Sequence, residues 1–207
     1  MNQYLLYLII VVVTVASPGP GVILTLSNAI RHGVKAALSG VVGIAMGILI
    51  IAVISASSLG VLLSTSALAF MVIKYIGAAY LIYLGVKLWR SAVMNLESET
   101  SNKVSKIPQY GKRFKEGFLI TLLNPKPIFF FMSLFPQFIN HQQSYFLQFT
   151  ILTLTFSSVI IIVHTSYALA ANSIKGWLSS PKGSKAVNRV GGSVFVLFGF
   201  GLASSQR

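Results

Sequence analysis

Two short stretches hold the residues best suited to chemistry. The first reads Ser17-Pro18-Gly19-Pro20-Gly21 and the second Asn124-Pro125-Lys126-Pro127. Each lies inside a long apolar run and sets two prolines within one helical turn. Proline lacks the backbone donor, and its ring clashes with the carbonyl one turn earlier, so a helix must break at both places. Ser17 before Pro18 and Asn124 before Pro125 have the order of an N-cap followed by proline at the first helical position. Each break is therefore expected to restart a half-helix whose N-terminus offers unpaired N–H groups and a positive dipole end to an anion. Lys126 adds a full charge. Carbonyls released just upstream, around Val13–Ala16 and Ile120–Leu123, would suit an ammonium. Ser17, Pro18, Gly19, Pro20, Gly21, Asn124, Pro125, Lys126 and Pro127 thus form a candidate binding site for a small zwitterion such as an amino acid. A lone proline kink can serve packing only; paired double-proline breaks at matched depth favour a site.

Few other groups titrate. Lys126 reads as the only basic residue deep in an apolar segment, and a charge placed there is expected to face a cavity or a partner. The alternative is a lysine reaching back to the interface. No apolar segment contains Asp or Glu beyond its mouth, so a carboxylate proton relay through the membrane is not expected. Glu116 sits at the mouth of its segment, where Lys112, four residues earlier, could pair with it. His164 is the titratable alternative deep in the chain, with a pKa range near working pH; the reading weighed against it, and slightly favoured, is a hydrogen-bonded packing histidine. Lys126 and His164 are the candidates for coupling transport to protons. The chain has no cysteine and no HExxH, Walker A or dinucleotide fingerprint. Catalytic residues, a metal and a cofactor are accordingly not expected, and neither an enzyme nor an ATP-driven pump fits.

The elements that must carry these residues are membrane helices. Of 207 residues, 55% are hydrophobic and 9% charged, against about 25% charged in soluble domains. Six apolar spans are read at 4–27, 38–62, 68–90, 115–137, 145–171 and 187–205. Each is long enough for a hydrocarbon core of about 30 Å. A net charge of +13 does not indicate nucleic-acid binding, because the basic residues fall in short gaps between spans. Met1–Gln3 carries no basic residue and the first apolar run is too long for a leader peptide's core. Arg31 and Lys35 mark the first connection. Lys87, Arg90, Lys103, Lys106, Lys112, Arg113 and Lys115 mark the third, and Lys175, Lys182, Lys185 and Arg189 the fifth. The second has only Lys74 at its edge, and the fourth has neither Lys nor Arg. Basic connections stay in the cytoplasm, which puts both termini outside. A five-span arrangement with one re-entrant segment would place the N-terminus inside instead.

The third connection, about 91–114, contains Glu97 and Glu99 and divides the single transmembrane domain into halves of about 1–90 and 115–207. A repeated unit of three spans must insert upside down the second time, as inverted repeats in secondary transporters do. The expected fold is therefore an all-α integral membrane protein of six helices in two inverted three-helix repeats, the first helix of each broken by prolines near mid-membrane. Gly40, Gly43 and Gly47, with Gly77 and Gly85, read as close-packing faces. Trp89 and Trp177 read as interfacial anchors, and Phe129–Phe131, Tyr75, Tyr80 and Tyr83 as lipid- or core-facing.

At these residues the chain resembles the LysE-type translocators, in their homoserine/threonine (RhtB-like) branch. The likeness runs through Ser17-Pro18-Gly19-Pro20, Arg31-His32-Gly33, Lys74-Tyr75-Ile76-Gly77, Tyr83-Leu84-Gly85, Leu123-Asn124-Pro125-Lys126 and Phe135-Pro136-Gln137-Phe138, to Arg189, Gly191 and Gly199. It implies export of amino acids or analogues across a bacterial cytoplasmic (inner) membrane, driven by protons, as a homodimer in the lipid bilayer. Gly21 departs from the polar or acidic residue that many relatives carry after Pro-Gly-Pro. The alternative function is an uncoupled channel or facilitator for small metabolites. Reporter fusions at Met1 and Arg207 should both report the outer side; a cytoplasmic N-terminus would overturn the six-span orientation.

Overall fold

The computed structural model describes residues 3–65, 67–91, 109–140 and 142–204, all in helices and the turns between them. Glu97, Glu99, Lys103 and Lys106 lie outside the described residues, as do both termini and most of the 91–114 linker. The last residues assigned to that linker are helical, because the next helix begins at Tyr110.

The first apolar run forms two helices, α1 (Gln3–Ala16) and α2 (Pro20–His32), bent by 56° at the first double-proline break. Gly33 follows with φ 83°, the only positive φ among the described residues, and α3 (Val34–Thr65) departs from it. L side chains avoid that region, so glycine is required for this turn. Helix α4 is Ala67–Trp89. After the linker, α5 (Tyr110–Leu122) runs into the second break, and a five-residue α6 (Pro125–Phe129) follows. The chain then widens into a π turn at Phe130–Leu134 and tightens into a 3-10 turn at Phe135–Phe138. Pro136 cannot donate to the helical ladder, which accounts for the change of register there. Helices α7 (Tyr145–Ser179) and α8 (Pro181–Ser204) complete the chain. Ser180 ends α7 and its Oγ accepts from Gly183 N at 3.1 Å, which caps α8 ahead of Pro181.

Among the described residues, Val34–Ser55 and Tyr145–Ile174 are each long and apolar enough to cross a membrane, and α1 with α2 makes a third if the bent pair is one span. At 35 residues, α7 is about 52 Å long, well beyond the hydrocarbon thickness.

Packing explains the glycines. A Cβ on Gly117 of α5 would strike the Gly40 carbonyl, and one on Gly43 would strike the Phe114 carbonyl. Gly47 packs against the Thr121 side chain, where a Cβ would come within 2.8 Å. The α3 and α5 backbones therefore touch directly, with Gly40, Gly43 and Gly47 as the α3 face. Gly85 plays the same part in α4, against Gly192 and Val196 of α8. The central core is aromatic: Phe130, Phe131, Phe135 and Phe156 are buried around Tyr7, whose hydroxyl donates to the Leu152 carbonyl at 2.7 Å. Phe129 stacks on Tyr80 with ring centroids 3.9 Å apart. Tyr75, Tyr83, Trp89 and Trp177 are exposed.

Lys74 is buried, with 5% exposure, near the start of α4. One expectation changes here. Glu116 pairs with Arg113 at 2.8 Å, one turn away at i−3, and this replaces the expected pairing with Lys112.

Gly117→Val should lower the midpoint of thermal unfolding in detergent by several degrees, since overpacking a filled contact costs about 1–3 kcal/mol. Gly111→Ala on the same helix, where a Cβ meets nothing within 4 Å, should be neutral or slightly stabilising.

Candidate functional site

The first break is built from the carbonyls that its prolines orphan. In an unbroken helix the Thr14 and Ala16 carbonyls would accept from residues 18 and 20, which here are prolines and have no N–H. Both are satisfied by side chains instead. Ser17 Oγ donates to the Thr14 carbonyl at 2.8 Å, and Tyr167 Oη, from α7, donates to the Ala16 carbonyl at 2.7 Å. Val13 accepts from Ser17 N at 2.9 Å. Of the carbonyls expected to await a substrate ammonium at this break, those of Val13, Thr14 and Ala16 are thus engaged inside the protein, where leaving them bare would be costly. Ser17 does not cap α2 either. Its hydroxyl faces back to α1, and extended Gly19 (φ −172°, ψ 179°) takes the N-cap position, with Pro20 at N1. A glycine cap brings no side-chain acceptor. The first-turn N–H groups of Gly21 and Val22 therefore lack a cap, and both residues line a cavity.

The second break keeps the expected cap. Asn124 Oδ1 accepts from Lys126 N at 3.0 Å, with Pro125 at N1. The Thr121 carbonyl, orphaned by Pro125, accepts from Asn124 N at 3.1 Å. Helical backbone continues from α6 through the π and 3-10 turns to Phe138, and the Lys126 side chain adds a full positive charge at its start.

The two breaks meet through that side chain. Lys126 Nζ donates to Ser17 Oγ at 2.5 Å and to the Ser17 carbonyl at 3.3 Å, across 109 residues of sequence. It also lies 5.5 Å from the centre of the Phe195 ring, within reach of a cation–π attraction. Ser17 can accept because the break ends the ladder that would otherwise occupy its carbonyl.

Around this contact lies a cavity of about 60 Å³. By the measure on which one water needs about 10–15 Å³, it has room for several waters. Ser17, Gly19, Gly21, Asn124, Lys126, Pro127 and His164 all line it, with Thr14 and Thr121 adding hydroxyls and Ile44, Ile48, Phe156 and Ile160 an apolar wall. Pro18, Pro20 and Pro125 shape the two breaks but do not line the cavity. No carboxylate lines it. A second cavity of about 620 Å³ lies between α1, α8 and the π and 3-10 turns; its lining is apolar except for Gln3 and Gln137.

His164 is 4% exposed. Its Nδ1 lies 2.7 Å from Thr25 Oγ1, and Thr25 Oγ1 donates to the Gly21 carbonyl at 3.0 Å. A hydroxyl has a single proton, so with that proton on Gly21 the bond from His164 must be Nδ1–H to Thr25. In this tautomer Nε2 carries the lone pair. The ring also fills the space left by Gly21, where an added Cβ would touch His164 Cε1 at 3.4 Å.

Sequence reasoning missed Thr25 and Tyr167. The available clue was helical spacing: Phe156, Ile160, His164 and Tyr167 recur at intervals of four and three, which puts them on one face of α7.

An all-helical chain with two broken helices meeting over a buried lysine has the make-up of a membrane transporter. Residues 12–206 match the LysE type translocator family, and the chain belongs to it. Over 191 residues it is 40% identical to the homoserine/homoserine lactone efflux protein of Salmonella typhimurium (strain LT2), covering 92% of this chain and 90% of that one. The protein of the same name from Salmonella typhi is equally similar, at 40% over 191 residues and the same coverage. An uncharacterized membrane protein of Vibrio cholerae is 34% identical over 206 residues, covering 100% of this chain and 98% of that one. No solved structure matches the chain. The family and its named relatives are transporters and not enzymes, which agrees with the reading of the sequence.

Tyr167→Phe should strip the Ala16 carbonyl of its partner and loosen the break. At unchanged membrane abundance, transport should fall by up to about tenfold, the equivalent of one hydrogen bond. Wild-type rates would show that this bond does not shape the site.

Proposed function

We propose that the protein is a secondary exporter of amino acids or related small zwitterions, with homoserine, threonine and other neutral amino acids favoured, driven by the proton motive force across the bacterial inner membrane. The observation that carries this reading is the Lys126 ammonium of the second break bonded to Ser17 of the first, at the edge of a cavity without carboxylates. The similarity to proteins named for homoserine and homoserine lactone efflux supports it.

In this reading the substrate carboxylate displaces Ser17 as the partner of Lys126 and takes further bonds from the uncapped N–H groups of Gly21 and Val22. The substrate ammonium meets His164 Nε2, held as an acceptor by Thr25, together with the Thr14 and Thr121 hydroxyls. Asn124, Pro125 and Pro127 fix the Lys126 backbone, and Pro18, Gly19 and Pro20 open the first helix so that Ser17 is reachable. Lys126 and His164 are the groups that would exchange protons with the cargo. An apolar wall of Ile44, Ile48, Phe156 and Ile160 favours short, uncharged side chains over basic ones, since the cavity offers no anion to a second cation.

The chain is arranged, on the same reading, as two inverted three-helix repeats of about 1–90 and 115–207 joined by a cytoplasmic linker at about 91–114. Six helices span the membrane, both termini lie outside, and the protein forms a homodimer. The buried faces of α1 with α2, α3, α5 and α7 around one cavity support a site shared between the halves.

Lys126→Ala, inserted normally, should abolish uphill efflux of homoserine or threonine from proteoliposomes under an imposed pH gradient. Lys126→Arg should retain part of it, keeping the charge with altered reach. Undiminished export by Lys126→Ala would refute the assignment, and wild-type movement only down the substrate gradient would identify a facilitator.

A further inference from the structure

Helix α2 differs from the other walls of the cavity. Its neighbour α5 is fused to α3 through the Gly40–Gly117 backbone contact, and α7 runs unbroken for 35 residues. By contrast α2 has 13 residues and stands between Gly19, its extended N-cap, and Gly33, whose φ of 83° only glycine adopts readily. Its apolar side does not join the aromatic core. Val22, Leu26 and Ala29 form a separate cluster with Ala37, Ala168 and Ala171.

Helices α2 and α5 both lead from the cavity toward the basic ends of the molecule. Val22 and Ile120 line the cavity. Six or seven residues farther along each helix, about 10 Å away, Asn28 meets Arg113: Arg113 Nη1 donates to Asn28 Oδ1 at 3.2 Å. Asn28 is 3% exposed, and its Nδ2 is buried without a hydrogen-bond partner. A half-satisfied buried amide makes a weaker hold than a fully bonded one. Arg113 Nη1 also binds Glu116 at 2.8 Å on its own helix. When Asn28 leaves, the guanidinium keeps its counter-charge, so parting leaves no stranded cation. These are the properties of a contact that can break and re-form.

We propose that α2 is the gate between the cavity and the basic face of the protein, turning about Gly19 and Gly33, and that the Asn28–Arg113 hydrogen bond is its latch. The proposal rests on the transporter reading for its purpose, but its test does not require the cargo to be known. The chain contains no cysteine, so Ile160→Cys places a single thiol on the cavity wall. Its rate of modification by a membrane-impermeant charged thiol reagent, applied to vesicles from the face carrying Arg31 and Lys112, reports how often the gate opens. Asn28→Ala and Arg113→Gln should each raise that rate about tenfold, the population shift expected from losing one hydrogen bond to a charged group. Glu116→Gln should act in the opposite direction and slow it severalfold, because opening would then leave Arg113 unpaired; general loosening of the fold cannot produce that sign. Unchanged rates in Asn28→Ala and Arg113→Gln, or a faster rate in Glu116→Gln, would overturn the proposal. Failure of homoserine or threonine export with these labelling rates intact would count against the cargo reading alone.

Discussion

An ammonium among apolar helices must find oxygen, and the rest of the site is arranged around that need. Burying a cation costs several kcal/mol unless it is bonded, and Lys126 meets the demand with both oxygens of Ser17. The carbonyl among them is available because the first helix stops there. A continuous helix would spend the Ser17 carbonyl on its own ladder. The prolines of the first break therefore create the partner for the cation carried by the second. Neither break is self-sufficient, and the contact between them ties parts of the chain that the linker keeps far apart in sequence.

Breaking a helix in an apolar medium exposes backbone groups, and the chain answers with side chains. Ser17 Oγ and Tyr167 Oη take the two carbonyls that Pro18 and Pro20 leave without donors. Helix α7 then holds both sides of the break, with Tyr167 on the end of α1 and His164, through Thr25, on the first turn of α2. The glycine-to-backbone contact of α3 with α5 supplies the stiffness on the opposite wall. The result is a frame of α3, α5 and α7, against which α2 packs between its two flanking glycines.

What could be read from the sequence was what is local. Proline pairs, a lysine within an apolar run and a histidine in another are visible without a fold, and the structure brings Lys126, Ser17, Asn124 and His164 to one cavity. The Asn124 cap was legible because cap and proline are neighbours. The Ser17 cap failed because two prolines in alternation leave a choice of restart, and the helix took the later one at Pro20 behind Gly19. Tyr167 and Thr25 were hidden because their bonds depend on how α7 lies against the break. The choice of Arg113 over Lys112 for Glu116 turns on where Asn28 stands on a different helix.

The uninterrupted course of α7 has a consequence for how this scaffold can diversify. Phe156, Ile160, His164 and Tyr167 stand on one rod, so the apolar wall, the imidazole and the anchor of the break keep fixed spacings along about 16 Å of helix. The size of the apolar wall can change at Phe156 or Ile160 without altering the backbone register that places His164 and Tyr167. The shape of the apolar wall is thereby separated, along a single helix, from the polar groups that hold the broken segment in place.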